Sequence, residues 1–390
     1  QSHNMKHRDN LGFILNFCGT KHTGNFCLTR RKDHKPSLML ELFTVVGFCL
    51  AGFSVIANDS VQTLGTWIAS NRDKFKWTTL WAAASAVLVF TLVYGWVSSG
   101  NGDISFGRLT KIPYQEPQWY HALAPLALVL LTRKGIPVST SFLVLSAFAS
   151  TFVLEKMLMK SIMGYGLAAV VAYALWLLIS KIVDEKDDVS EKSRKVWRVM
   201  QWCSTGFLWF TWLSHDVANI AVFLPRELTV MQLILVIVFF IAGLGYIFYK
   251  RGGKIQEIVL AKQSTKYVRS ATMIDLVYAF LLLYFKQMNN IPMSTTWVFV
   301  GLLCGRELAL NTGLTKKGNL KSIFPIVAKD FLKLIVGLLV SVAIVLAIHY
   351  GEDAANMDGA SPASTEEVAA PASAETSADV QVIPTDLIAD

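Results

Sequence analysis

Apolar runs of about 18 to 22 residues recur along the chain, each long enough to cross a bilayer as a helix. Inside hydrocarbon every backbone N–H and C=O must be satisfied by the chain itself, which leaves helices or closed barrels. The two-residue alternation of a membrane barrel is absent. Only 16% of residues are charged and 53% are hydrophobic, where a soluble domain carries roughly 25% charged. The expectation is an all-α polytopic protein embedded in the lipid bilayer. Candidate segments are 39–58, 77–98, 119–133, 136–155, 161–181, 196–214, 229–249, 268–285, 291–310 and 331–349. The net charge of +8 does not point to nucleic acid, because Lys and Arg gather in short loops between spans.

The ends read differently. Residues 1–38 are polar and basic, and Met39 opens the first apolar run. We expect translation to begin at Met39, with 1–38 a disordered or non-native extension. Cys18, His22, Cys27 and His34 match no standard metal spacing, so no metal site is expected there. Residues 350–390 are rich in Ala, Ser, Pro and acids, and are expected to be a disordered tail. The charged stretch 182–195 reads as a cytoplasmic linker between a first repeat, 39–181, and a second, 196–349.

Two phrases occur twice in the same order. Asn58-Asp59 corresponds to His215-Asp216, and Gly135–Phe142 (GIPVSTSF) corresponds to Asn290–Trp297 (NIPMSTTW). From Asp59 to Pro137 is 78 residues, and from Asp216 to Pro292 is 76. Internal repeats of this kind are a sign of a pseudo-twofold transporter with its site at the repeat interface. Proline disfavours helix in the residue before it and has no N–H. Each pair of segments around it (119–133 with 136–155, 268–285 with 291–310) therefore reads as a re-entrant helical hairpin. Each half then has three spanning helices plus one hairpin, and the odd number of crossings inverts the second half. With Met39 outside, the loops 71–76, 182–195, 250–267 and 311–330 fall inside, in agreement with the distribution of Lys and Arg.

Ser139-Thr140-Ser141 and Ser294-Thr295-Thr296 place hydroxyls and unpaired N–H groups at helix starts, which suits an oxyanion. The plainer reading of one such Ser is a helix N-cap. Two copies in a repeat favour an anion clasp. Asn58, Asp59, Asp216 and Asn219 supply oxygen for Na⁺, or a carboxylate that carries a proton. Either ion would offset the anion's charge. Asp275 is a further intramembrane acid, open to ion handling or to pairing with Lys286 or Arg269. Arg133-Lys134 either faces the anion or snorkels, and Glu155 and Glu307 read as interfacial.

These residues resemble the PiT family of inorganic phosphate transporters, which carries a duplicated GANDVANA signature and a duplicated G(L/I)PVS(T/S)TH signature. The chain keeps Ala57-Asn58-Asp59, Asp216-Val217-Ala218-Asn219, Gly135-Ile136-Pro137-Val138-Ser139-Thr140 and Ile291-Pro292-Met293-Ser294-Thr295-Thr296. It departs at Ile56, where the family has Gly, and at Phe142 and Trp297, where it has His. The resemblance spans about 39–349. It implies the inverted-repeat fold and import of inorganic phosphate by symport with Na⁺ or H⁺. It places the aspartates and asparagines at the cation and substrate site, and the Ser/Thr residues on phosphate. Residence in the plasma (inner) membrane and a homodimer are further expectations. The competing readings are carriage of another oxyanion such as sulfate, a transport-inactive regulator, or a membrane enzyme. No enzyme motif is present (no HExxH, no GxSxG) and no cofactor beyond the coupling ion is expected.

Overall fold

The structure is a computed structural model and describes residues 38–133, 138–183, 190–250, 268–312 and 320–359. Among these residues every regular element is helical. The protein is an all-α polytopic membrane protein. Five stretches are long and apolar enough to cross a bilayer: Leu42–Asp59, Trp77–Ser98, Thr151–Ile179, Val230–Tyr249 and Val268–Met288.

Helix α1 (Leu38–Ser54) does not stop at the polar Asn-Asp pair. It passes through a π-helical turn, Val55–Asp59, where the N–H of Ser60 reaches the carbonyl of Val55, and continues as α2 (Ser60–Asn71). The wider turn carries the chain past Asn58 and Asp59 without ending the helix, and both side chains are buried. Helix α3 (Trp77–Ser98) returns and packs antiparallel on α9 (Val230–Tyr249). Trp81 Nε1 donates to Ile241 O at 2.9 Å and Trp96 Nε1 to Leu228 O at 2.8 Å.

Segment 99–118 then folds back over the molecule. Gly100, Gly102, Phe106 and Gly107 all have positive φ. The Asp103 carboxylate gathers this turn, accepting from Ser105 N at 2.7 Å, Ser105 Oγ at 2.8 Å and Gly107 N at 3.1 Å. A Cβ on Gly102 would stand 2.8 Å from Leu228 O, so the close seating of this loop on residue 228 requires glycine.

Helix α4 (Leu123–Arg133) leads toward α5 (Thr140–Val144), which tightens into a 3₁₀ turn ending at Ala147. Helix α6 (Thr151–Val183) is continuous over 33 residues. The expected separate segments 136–155 and 161–181 are thus replaced by a short helical piece and one long helix. Glu155, Lys156 and Lys160 interrupt the hydropathy but are good helix formers, so the real break falls at 148–150.

Helix α7 (Glu191–Asp216) begins inside the expected linker, capped by Ser190, and a short α8 (Ala218–Ala221) follows. Helix α10 (Val268–Met288) and α11 (Thr295–Thr312) flank the second IPxST phrase. At 21 residues α10 is long enough to span, where a non-crossing arm ending at 285 was expected. Helix α12 (Leu320–Gly359) starts before 331 and runs past 350 into the expected tail, because EDAANMD (352–358) contains neither Pro nor Gly. The N-terminal cluster at Cys18, His22, Cys27 and His34 lies outside the described residues.

Two parallel helix pairs hold the second hairpin. Along α7 and α10, contacts advance together: Thr272 Oγ1 to Trp197 O at 3.4 Å, Thr205 Oγ1 to Asp275 Oδ2 at 2.5 Å, His215 Nε2 to Leu282 O at 2.7 Å. Along α6 and α11 the pairing runs from Ser161 with Ser294 to Tyr173 with Thr312. Here Gly301 and Gly305 form a GxxxG stripe. A Cβ on them would lie 2.3 Å from Tyr165 O and 2.1 Å from Ala169 O. Small residues at this spacing let helix backbones touch, which drives association where lipid offers no hydrophobic gain.

Candidate functional site

The two Asp-containing turns and the two Ser/Thr phrases meet. In the first copy Thr140 Oγ1 donates to Asp59 Oδ2, and Asn58 Nδ2 donates to Asp59 Oδ1 at 2.7 Å and to Val138 O at 3.2 Å. In the second, Thr295 Oγ1 donates to Asp216 Oδ2 at 2.6 Å and Asn219 Nδ2 to Asp216 Oδ1 at 3.2 Å. The same relation therefore appears twice: the residue after the first Ser of each phrase donates to the Asp of its own half. The halves are joined by Ser141 Oγ, which donates across to Asp216 Oδ1 at 3.3 Å. Asp59 and Asp216 thus sit on either side of the Thr140-Ser141 turn.

Ser139 and Ser294 perform the plainer role in this state. Each hydroxyl caps its own helix, accepting from Phe142 N and Trp297 N respectively, both at 3.2 Å. Thr296 is buried beside them. The two helix starts are unequal. Helix α11 has 18 residues and a substantial dipole, whereas α5 has five and offers mainly its hydroxyls. Phe142 and Trp297, at the positions of the family histidine, meet edge to face with ring centroids 5.8 Å apart. Tyr278 closes the site from α10, its hydroxyl donating to Thr295 O at 3.0 Å.

Oxygen is plentiful for a small cation. Asn219 Oδ1 is buried and has no hydrogen-bond partner. The Asn219 amide nitrogen donates to the Asp216 carboxylate, and carboxylate and amide oxygens together are a set that fits Na⁺. Asp275 stands apart from this cluster. It accepts from Thr66 Oγ1 at 2.7 Å and from Thr205, bridging α2 and α7. Glu155 is exposed and Glu307 bonds Arg306 at 3.1 Å. Residues Lys134–Pro137 lie outside the described residues, as does the Arg133 side chain.

Sequence reasoning missed a basic group beside the second phrase. Arg108, from segment 99–118, is 1% exposed. Its Nε donates to Ser214 O at 3.1 Å and its Nη1 to Ile291 O at 3.4 Å. Burial pulls its guanidinium down to about 10, opposed by the Asp216 carboxylate. Lys160 Nζ donates to Asn289 Oδ1 at 2.8 Å, Ile291 O at 2.9 Å and Asn289 O at 3.2 Å. Pro292 has no N–H, so the backbone here leaves carbonyls for these cations to take. His215 Nε2 points at Leu282 O, which places the imidazole proton on that nitrogen; Nδ1 is buried without a partner. Lys160 was legible as a lysine among apolar residues. Nothing in segment 99–118 marks Arg108 as buried.

No protein-family model matches the sequence, and neither does any curated protein. A solved structure described as the sodium-dependent phosphate transporter is similar to this chain, with a TM-score of 0.55 and 18% identity over 80% of this chain and 99% of that one. At that identity the likeness speaks to architecture. The expectation of a transporter fold is borne out at that level: the chain shares its fold with a membrane transporter.

Proposed function

We propose that this protein is a secondary-active transporter that imports inorganic phosphate by symport with Na⁺ or H⁺. The observation that carries the reading is the doubled contact of Thr140 with Asp59 and Thr295 with Asp216, tied across by Ser141. One cluster then holds both kinds of group the task requires: hydroxyl donors for an oxyanion and carboxylates for a cation. The similarity to a sodium-dependent phosphate transporter supports the substrate class.

In this reading the four segments belong to two inverted repeats that rock about the site. The threonine hydroxyls donate to the aspartates. A cation or proton on Asp59 or Asp216 competes for that carboxylate and frees the hydroxyl to turn toward phosphate. The N–H groups of the first turn of α11 add positive potential. Ion and anion thereby bind cooperatively, because each removes the cost of burying the other's charge. Asn58 and Asn219 hold the carboxylates in place. The chain's own residues bind and orient, with no covalent chemistry.

The test is uptake of labelled phosphate into proteoliposomes under imposed Na⁺ and proton gradients, applied separately. Gradient-driven uptake that falls at least tenfold in Asp59→Asn and in Thr295→Val is expected, and the effective gradient names the ion. Sulfate as competitor distinguishes phosphate from a broader oxyanion preference. Folded, inserted protein with no uptake under either gradient would overturn the reading.

A further inference from the structure

The basic group beside the second phrase is larger than structural pinning needs. Arg108 and Lys160 share one carbonyl, Ile291 O. Lys286, at the end of α10, adds a third charge, and both lysines lie within electrostatic reach of Arg108. Among the described residues no carboxylate lies within ion-pair distance of any of the three. His215 also faces Arg108, with Nε2 3.3 Å from Nη2, and that nitrogen is already committed to Leu282 O. Arg108 and the two lysines repel one another, the Asp216 carboxylate acting on Arg108 offsets part of this, and the surplus of basic groups over that one carboxylate invites an anion.

Lys286 shows where the anion would arrive. Its ammonium lies over the Phe106 ring at 4.4 Å and near Phe210 at 5.7 Å. It has no hydrogen-bond acceptor among the described residues, so its three N–H donors are unspent. Lys286 is half-buried, whereas Arg108 and Lys160 are buried, and the neighbouring Asn289 and Asn290 are exposed. Lys286 is therefore the most accessible of the three and Arg108 lies deeper, with Nη2 not committed to any oxygen. From Ile291 to Ser294 is three residues of extended chain, about 10 Å at most.

We propose that Lys286, Arg108 and Lys160 form a docking station for a multiply charged tetrahedral oxyanion, separate from the Ser/Thr cluster and leading to it. This rests on the transport reading for its biological purpose but not for its detection. A cleft lined with one sign of charge concentrates its counter-ion and speeds capture, and that advantage disappears as salt screens it.

Lys286→Gln is the decisive variant, because the ammonium holds no acceptor that its loss would strand. Two measurements are made on the full chain. In detergent, phosphate-dependent thermal stabilisation is followed in a Thr295→Val background, which disables the second half of the cluster, with and without Lys286→Gln. In proteoliposomes, KM and kcat for phosphate are followed at low and high ionic strength for wild type and Lys286→Gln. Expected is residual stabilisation by phosphate in Thr295→Val that vanishes on adding Lys286→Gln. Also expected is a roughly tenfold higher KM in Lys286→Gln at low salt, with unchanged kcat, converging on wild type at high salt. An unchanged stabilisation on adding Lys286→Gln, or a fall in kcat with no change in KM, overturns the docking station. If wild type fails to transport while the stabilisation pattern holds, the station stands and the transport reading falls.

Discussion

At the scale of single residues, Lys160 shows how a charge is held inside the membrane. The residue is 3% exposed, and its ammonium is saturated by three oxygens at the turn before Pro292. Lys160→Met keeps the stem's packing and strands those oxygens, each worth about 1–3 kcal/mol when unsatisfied. Relief of repulsion with Arg108 offsets part of this. A net loss of about 2 kcal/mol is expected, read as a lowered Tm in detergent, with Lys160→Arg restoring most of it. The repeated Asp and Ser/Thr residues were readable in advance, because a carboxylate or a hydroxyl triplet among apolar residues has few other uses. Their division of labour was not. That Ser139 and Ser294 cap helices while Thr140 and Thr295 reach the aspartates depends on which side of a helix start each side chain leaves, which spacing does not encode. Arg108 was invisible for a related reason: its burial follows from the fold of a glycine-rich turn held by Asp103, not from any pattern around it.

At the scale of elements, the parallel pair α6–α11 fixes where the second hairpin stands. Gly305 sits against the backbone of Ala169, so no side chain can be added without moving a helix. Gly305→Val should cost roughly 3 kcal/mol or more and yield little monodisperse protein on size exclusion. Gly206, whose added Cβ would meet only Val87 Cγ2 at 3.9 Å, is the control, and Gly206→Ala should behave as wild type. Lengths were less legible than positions. Charged residues that are good helix formers made one 33-residue helix look like two segments, and Asn58-Asp59 looked like an end because a π-helical turn leaves no breaker in the sequence. Hydropathy marks what lies in lipid; backbone continuity is decided by propensity and by tertiary contacts.

At the scale of the whole molecule, the lopsided distribution of lysine and arginine gives an orientation that labelling can check. In a cysteine-free background, Asp73→Cys should react with a membrane-impermeant maleimide only after permeabilisation, and Thr110→Cys in intact cells. The reverse pattern would invert the chain and move the basic docking station to the opposite face. Either way, the two phrases meet through aromatic rings where the sequence departs from the signature it resembles. Phe142 and Trp297 touch edge to face at the join between them. Any motion that parts the halves must wet these rings, and apolar hydration carries a large positive heat capacity. On the transport reading, the balance between parted and joined states is then temperature-dependent: cooling weakens this contact and shifts the balance toward the parted form.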